Sequence, residues 1–441
     1  MLCISQLNYF CILLQVKRKY LIIVSASFPY GLKEPFLETE LKHHALHFDK
    51  IYLLVPKIPK DQSHHFNFTL PQNVIVAQFL YTIGFWERLM GIRFLFSFVF
   101  WKEISIVRNN YRLNLNRNIV KTILSTLIRA DHFAVQLKKF LKVNRIPFHR
   151  TTCYTYWCNE YSLGIGNLRR KYTIAGAFSR VHNWDLYFER APNHYLPLRS
   201  RIFKRLDAVF PVSQQTKQYI LKKVPNTDAD KLIVSYLGVE KIGEVRPEKR
   251  GKTLKILSLA FLGKIKRIDL LIAALEQLED FDVEWHHIGK GNDHLDIKQY
   301  AFNRLFNKAN IKYVLTGDIS KKEVYEYLNN HHFDALVNTS SYEGVPVSMM
   351  EALSFSIPII GTNVGGVAEI IDNEKNGFLL SSDPEPDEII DRLKQLYAMS
   401  EEDYLMMRQQ AYNTWQSRFN AESNYSELIY NMVQMSKNYQ S

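Results

Sequence analysis

Four cysteines in 441 residues are too few for a disulfide framework. Cys153 and Cys158 have four residues between them, and no second Cys pair completes a zinc set, so both read as buried thiols. Glycine (18) and proline (15) are too sparse for a fibrous or low-complexity chain. No apolar run approaches the ~20 residues that cross a bilayer. Met1–Gln15 is apolar but interrupted by Ser5, Gln6 and Asn8, and its basic run Lys17–Lys19 follows the apolar part, the reverse of a secretory signal. Met1–Val16 therefore reads as an extension outside the fold. The dinucleotide fingerprint G-x-G-x-x-G is missing. His43-His44, His64-His65, His286-His287 and His331-His332 form no H-E-x-x-H motif, so these histidines read as structural and no metal site is expected.

What is present is a globular composition, 46% hydrophobic, at a length that suits two or three domains. The net charge of +12 conceals an asymmetry: residues 1–240 hold 34 Lys and Arg against 15 Asp and Glu, and residues 241–441 hold 22 against 29. Two domains with different partners follow, the basic half meeting something anionic. Gly84–Trp101 contains the almost wholly apolar Phe94–Trp101, and residues 101–150 then carry 11 cations against Glu103 and Asp131. That mixture suits a membrane interface as well as it suits a core helix beside a solvated basic one.

Short continuous apolar runs alternate with helical patterns, which predicts parallel sheets. The runs are Tyr20–Ser25, Ile51–Val55, Phe148–Tyr154, a strand within Thr173–Tyr187, Leu206–Ser213, Leu254–Ala260, Val283–Ile288, Val314–Gly317, Ala335–Val337 and Pro358–Ile360. Helices are expected from Pro35 to about Ala45, over Gln214–Lys222 capped by Ser213, and over Ile268–Leu278, Lys322–Asn329, Val347–Ser354 and Ser400–Met435, with another starting at Val367–Ile371. Lys241–Thr253, charged and Pro/Gly-bearing, reads as a linker. Asp228-Ala229-Asp230 is formally D-x-D, but it lies in a turn and reads as turn chemistry.

Chemistry concentrates in Asn338–Ile371, N-T-S-S-Y-E-G-V-P-V-S-M-M-E-A-L-S-F-S-I-P-I-I-G-T-N-V-G-G-V-A-E-I-I. A strand, a polar turn, a helix with Pro346 in its first turn, a second strand and a glycine turn make βαβα, with ligands expected at the C-terminal strand ends. Glu343 in the turn and Glu351 in the helix lie near one helix N-terminus. That end suits an anion, and ionised carboxylates accept hydrogen bonds from hydroxyls. Phosphate plus polyol describes a nucleotide sugar. Three cations, Lys264, Lys266 and Arg267, crowd the start of Ile268–Leu278, where the helix dipole disfavours them unless an anion sits among them.

The Glu343–Glu351 segment resembles the E-x7-E signature of retaining glycosyltransferases with the GT-B fold, family 4, of the kind that builds bacterial capsule, exopolysaccharide and other surface polysaccharides. The resemblance implies that Glu351 holds the ribose hydroxyls, and that Glu343 with Gly344, Val345 and Pro346 holds the donor sugar. Ser179-Arg180-x-His182-x-x-Asp185 resembles the histidine motif of the same family's N-terminal domain, which puts His182 beside the donor sugar as a catalytic residue with Glu343. Gly31, Glu34, Arg180 and Asp185 fall to loops of the inter-domain cleft. Where the family has R-x4-K for the diphosphate, this chain has Phe261 and Lys266, with Arg267 as a substitute contact. Leu237-Gly238-Val239-Glu240 resembles the family's N-G-V-D junction.

The expected fold is α/β, GT-B, two Rossmann-like domains with parallel sheets facing across a cleft. The expected boundaries are an extension at 1–18, an acceptor-binding domain at 19–240, a linker at 241–253, a nucleotide-sugar-binding domain at 254–418 and a terminal helix at 419–441 that packs back on the first domain. The implied partners are a nucleotide-sugar donor, a saccharide or lipid-linked acceptor and an anionic membrane surface. No nucleic acid, cofactor or metal is implied, and the place is cytoplasmic, on the inner face of the cell membrane. A catalytically silent scaffold and a glycosidase are the rival readings.

Overall fold

The structure, a computed structural model, describes residues 19–30, 34, 36–55, 69–78, 83–183, 185–241, 251–291 and 294–437. Met1–Val16, Gly31 and Pro35 lie outside the described residues, as does most of the linker.

The chain divides into two units, Met1–Tyr236 with Glu422–Ser441, and Leu237–Ala421. In the first, six strands run β1 (Tyr20–Val24), β2 (Lys50–Val55), β3 (Val74–Gln78), β4 (Thr151–Thr155), β5 (Gly176–Val181) and β6 (Ala208–Pro211). They form one sheet in the order β3-β2-β1-β4-β5-β6, every pairing parallel. Register places Ile22 between Tyr52 and Cys153. Leu21, Ile22 and Ile23 are fully buried, as a strand covered on both faces requires. Helix Arg117–Val143 supplies much of that cover through Ile123, Ala130, Phe133, Leu137 and Leu141, and Asn116 caps it by accepting the Ile119 N–H at 2.9 Å. Cys153 and Cys158 are buried free thiols, and burial pushes Cys153 up to about 12.

The second unit repeats the plan. Its strands are β7 (Leu254–Leu259), β8 (Val283–Ile288), β9 (Ile311–Gly317), β10 (Ala335–Asn338), β11 (Ile359–Thr362) and β12 (Gly377–Leu380), ordered β12-β11-β10-β7-β8-β9, all parallel. Counted within each unit, both sheets read 3-2-1-4-5-6. Strand order therefore reverses between β1 and β4 in one unit and between β7 and β10 in the other. At such a switch point adjacent loops diverge and leave a crevice at the C-terminal strand ends.

Three expectations need correction. The first unit closes at Tyr236, and Leu237–Glu240 belongs to the second: the backbone of Val239 bonds Phe419 and Ala421, and the indole N–H of Trp415 donates to the Val239 carbonyl at 3.1 Å. Ser400–Met435 is not one helix. Helix Glu401–Thr414 passes into a π-turn, Trp415–Phe419, and a new helix starts at Ala421 after extended Asn420. From Glu422 the chain groups with the first unit. Val367–Ile371 does not start an α-helix, because Gly365–Glu369 forms a 3-10 turn.

Candidate active site

At the switch point of the second unit, the loop after β7 meets the loop after β10. The first loop turns through the 3-10 turn Lys264–Lys266 into Arg267, which takes the left-handed conformation (φ 46°, ψ 45°) and opens helix Ile268–Gln277. A non-glycine residue holds that conformation only where its surroundings fix it. Thr339 does so: its hydroxyl donates to the carbonyls of Lys266 (3.0 Å) and Arg267 (2.8 Å), and its own carbonyl accepts from Arg267 Nε at 2.7 Å. Ser341 N–H donates to the Ile265 carbonyl.

This zipping brings Lys266 to Glu343. Lys266 Nζ lies 2.6 Å from Glu343 Oε1, which also accepts from Ser340 Oγ at 2.6 Å and Asn338 Nδ2 at 3.3 Å. All three bonds end on Oε1, so among the described residues Oε2 is the oxygen left for a ligand. The turn Glu343–Pro346 is pressed from the far side by Gly365 and Gly366. Gly366 N–H donates to the Gly344 carbonyl at 2.6 Å. Gly365 has φ +55°, and a Cβ there would stand 1.9 Å from the Glu343 carbonyl oxygen, so only glycine closes this contact.

Helix Val347–Ser354 begins with Pro346 as its N-cap rather than in its first turn, and no side chain caps it. Helix Ile268–Gln277 is likewise uncapped by a side chain. Two helix ends thus offer backbone N–H groups to an anion beside Lys266. Four residues into helix Val347–Ser354, half-buried Glu351 accepts from Tyr325 Oη at 2.9 Å. Burial raises the Glu351 carboxyl above the usual range, against the pull of Lys321 and the Tyr325 bond. Nothing in the local sequence marks Tyr325, which comes from a different helix.

Arg267 is less available than the sequence implies. Besides Thr339, its guanidinium is bound to Asp383. It shapes the loop, and Lys266 is the cation left facing Glu343.

In the first unit the predicted residues separate into His182, whose ring keeps an unpaired nitrogen among the described residues, and Asp185, Glu34 and Arg180, which build the surrounding loops. His182 follows β5. Its ring packs against Tyr156 (4.6 Å between centroids) and Trp157 (4.5 Å), and its Nε2 has no hydrogen-bond partner among the described residues. Burial, with the charge of Arg180, holds it down at about 3, so the imidazole is neutral at physiological pH. Asp185 is 1% exposed and accepts the backbone N–H groups of His182 (2.9 Å) and Cys158 (2.8 Å). It is not a ligand contact but the residue that closes the His182 turn.

Glu34 and Arg180 also leave the ligand list. Glu34 is 2% exposed and accepts the backbone N–H groups of Ala26, Ser27 and Phe28 and the Trp157 indole N–H at 2.6 Å. It fills the loop after β1, at this unit's own switch point. Arg180 is fully buried against Glu40 at 3.2 Å, donating to Tyr154 Oη and the Ser235 carbonyl. Asp228 Oδ1 accepts the Asp230 N–H at 3.1 Å, so this D-x-D is a turn.

Residues 243–414 match the family described as Glycosyl transferases group 1. The match contains Asn338–Ile371, and it bears out the resemblance to GT-B glycosyltransferases of polysaccharide biosynthesis. A putative colanic acid biosynthesis glycosyltransferase, WcaL of Escherichia coli K12, is 27% identical over 48% of this chain and 53% of its own length. The amylovoran biosynthesis glycosyltransferase AmsK of Erwinia amylovora is 24% identical over 41% of this chain and 45% of its own. The chain spans about half the length of the curated relatives it matches. Among solved structures, the lipopolysaccharide outer core galactosyltransferase WaaB superposes with a TM-score of 0.63 over 94% of this chain and 99% of its own, at 16% identity. Anabaena HepE, in complex with UDP, has a TM-score of 0.63 at 13% identity over 94% of this chain and 100% of its own. At such identities the likeness concerns the fold, which is GT-B.

Proposed function

We propose that this protein is a retaining glycosyltransferase that moves a sugar from a nucleoside diphosphate sugar to a saccharide acceptor, carried on lipid at an anionic membrane surface, in surface-polysaccharide assembly. The observation that carries the reading is the pairing of Lys266 with Glu343 at the β7/β10 switch point, beside two uncapped helix ends. Lys266 and those N–H groups take the diphosphate. Glu343 Oε2 and the Gly344–Pro346 backbone take the sugar, and Glu351 takes the ribose hydroxyls. Within the first unit, the neutral His182 offers a hydrogen-bonding ring nitrogen. Relatives named for colanic acid and amylovoran biosynthesis support the pathway class, and one neighbour of the same fold is described with UDP-glucose, a donor of the class named here.

Incubation with a panel of nucleotide sugars and lipid-linked saccharides tests this. Nucleotide release that depends on one donor, with the anomeric configuration retained in the product, is the expected result. No release from any donor would overturn it in favour of a silent scaffold. A glycosidase is disfavoured because it works two carboxylates across one bond, whereas Glu343 is held by Lys266, Asn338 and Ser340 and Glu351 by Tyr325.

Two expectations attach to this reading. Activity survives EDTA, because a lysine and helix N-termini neutralise the leaving diphosphate. Loss on chelation with recovery on adding Mg²⁺ or Mn²⁺ would contradict that. Glu351→Gln raises KM for the donor by about tenfold, one strong hydrogen bond's worth, and lowers kcat less. Initial-rate kinetics at varied donor decide it, and an unchanged KM removes the ribose assignment.

A further inference from the structure

Within the first unit, helix Phe85–Met90 buries none of its residues. The 3-10 turn Gly91–Phe96 and helix Phe98–Asn109 follow directly. Exposure along this segment is 71% at Phe85, 70% at Trp86, 56% at Met90, 85% at Phe96, 79% at Phe98 and 60% at Trp101. Single exposed apolar residues are ordinary, but a run of aromatics along one segment marks an interaction surface.

The segment is fixed, not frayed. Gly91 lies against the long helix Arg117–Val143, where a Cβ would meet Ile128 at 2.3 Å. Arg93 pairs with Asp131 of that helix at 2.5 Å. Ser97 caps the helix it precedes by accepting from the Phe100 N–H. Trp101 spends its indole N–H on the Leu95 carbonyl at 2.7 Å, so its ring can leave water without an unsatisfied donor.

Charge identifies what covers this surface. The outer face of helix Phe98–Asn109 begins with Phe98 and Trp101 and continues as Lys102, Ser105 and Arg108, all exposed, so it passes from aromatic to basic along its length. Residues 101–150 carry 11 cations against two acids, and both acids are consumed within the protein. Glu103 is buried, accepting from Tyr195 Oη and the Leu198 N–H, and Asp131 is taken by Arg93. What faces outward is cationic, beside aromatics. A protein partner with acidic residues would match the charge, but a lipid interface matches both halves, since anionic headgroups lie directly above an apolar layer. No described helix is long and apolar enough to cross the bilayer.

We propose that Phe85–Trp101 is a membrane-insertion device: its aromatics enter the acyl boundary of an anionic bilayer while Lys102 and Arg108 meet the headgroups. The inference rests on the proposed lipid-borne acceptor only for its purpose, and its test reads binding instead of turnover. The full-length protein is mixed with phosphatidylcholine vesicles and with vesicles also carrying phosphatidylglycerol, at low and high salt. Binding is followed by co-sedimentation, and depth by quenching of tryptophan fluorescence with brominated acyl chains. Binding requires phosphatidylglycerol at low salt and is weakened by salt, as screened charges require. Brominated lipid quenches the wild-type fluorescence, a result that needs no variant. F96S/F98S/W101S, with the wild-type melting temperature, loses about tenfold in partitioning per aromatic removed and keeps nucleotide release with a soluble acceptor. No quenching, equal binding by the variant, or a wild-type dimer that the variant splits would overturn the proposal. The last outcome would assign the surface to a second copy of the chain. A wild-type protein that binds vesicles but turns over no donor overturns the function above and leaves this inference standing.

Discussion

Glu343→Gln lowers kcat by about 10²-fold or more, the scale of losing one strong polar contact made to a transition state, with little change in donor KM. The bond that breaks in glycosyl transfer leaves an oxocarbenium-like carbon. A carboxylate beside it is worth more in the transition state than in the ground state, because charge appears only there. On the function proposed above, Glu343 is preorganised for that work. Lys266, Ser340 and Asn338 all hold Oε1, so the carboxylate cannot swing, and Oε2 stays open. Glutamine keeps the shape and removes the charge. Its amide also has to turn one polar end toward Lys266, and only the carbonyl end suits a lysine, which donates and never accepts. The variant therefore folds, as its melting curve should show, and binds donor through Glu351, Lys266 and the helix ends. A folded Glu343→Gln enzyme with wild-type kcat would leave this turn a binding site only.

That turn is legible in the sequence alone. The apolar runs at β7, β8, β10 and β11 and the turns after them are local signals, since a strand buried on both faces must be apolar throughout and a ligand turn at its end must be polar. Tyr20–Ser25 and Ala335–Val337 are read within a residue or two of the observed β1 and β10. What spacing does not carry is the identity of partners far away in the chain. Glu34 looks like a free loop acid until Trp157, 123 residues later, donates to it. Arg180 and Asp185 look like ligands because they flank a candidate site histidine, yet one is neutralised by Glu40 and the other is filled by backbone N–H groups. Arg267 completes a cationic cluster on paper, yet Thr339 and Asp383 hold its Nε and Nη1.

The break inside Ser400–Met435 has the same origin. The local pattern is helical through Trp415 and again from Ala421, and nothing between is a strong breaker. The interruption is imposed by the return of Val239, whose backbone N–H donates to the Phe419 carbonyl and whose carbonyl accepts from Ala421. Gly238 permits the approach, since a Cβ there would stand 2.4 Å from the Ala421 Cα. A helix that must exchange two of its own hydrogen bonds for bonds to a strand-like segment has to unwind at that point.

Arg180→Ala costs about 3–5 kcal/mol of unfolding free energy, the range for removing one partner of a buried ion pair. The reason is what remains. Glu40 has no exposed surface, and it keeps only the His44 contact at 3.3 Å and Tyr154 once the guanidinium is gone. The Ser235 carbonyl and Tyr154 Oη lose their donor as well. In the wild type, burial alone would raise the Glu40 carboxyl, and the charge of Arg180, with the His44 and Tyr154 hydrogen bonds, overrides that to hold it at about 2. A depressed carboxyl contributes stability that is present above its ordinary value near 4.5 and is lost as pH falls through about 2. Without Arg180 the burial effect is unopposed by that charge, the folded carboxyl moves above its ordinary value, and acid now relieves strain rather than creating it. Urea unfolding at pH 7 and pH 4 distinguishes the two: the deficit of Arg180→Ala relative to wild type shrinks on acidification. The double variant Glu40→Leu/Arg180→Met leaves no orphaned charge and should recover part of the loss. A single variant within about 1 kcal/mol of wild type at pH 7, below the cost of breaking a buried pair, would show that Arg180 is not structural and return it to the ligand side of β5.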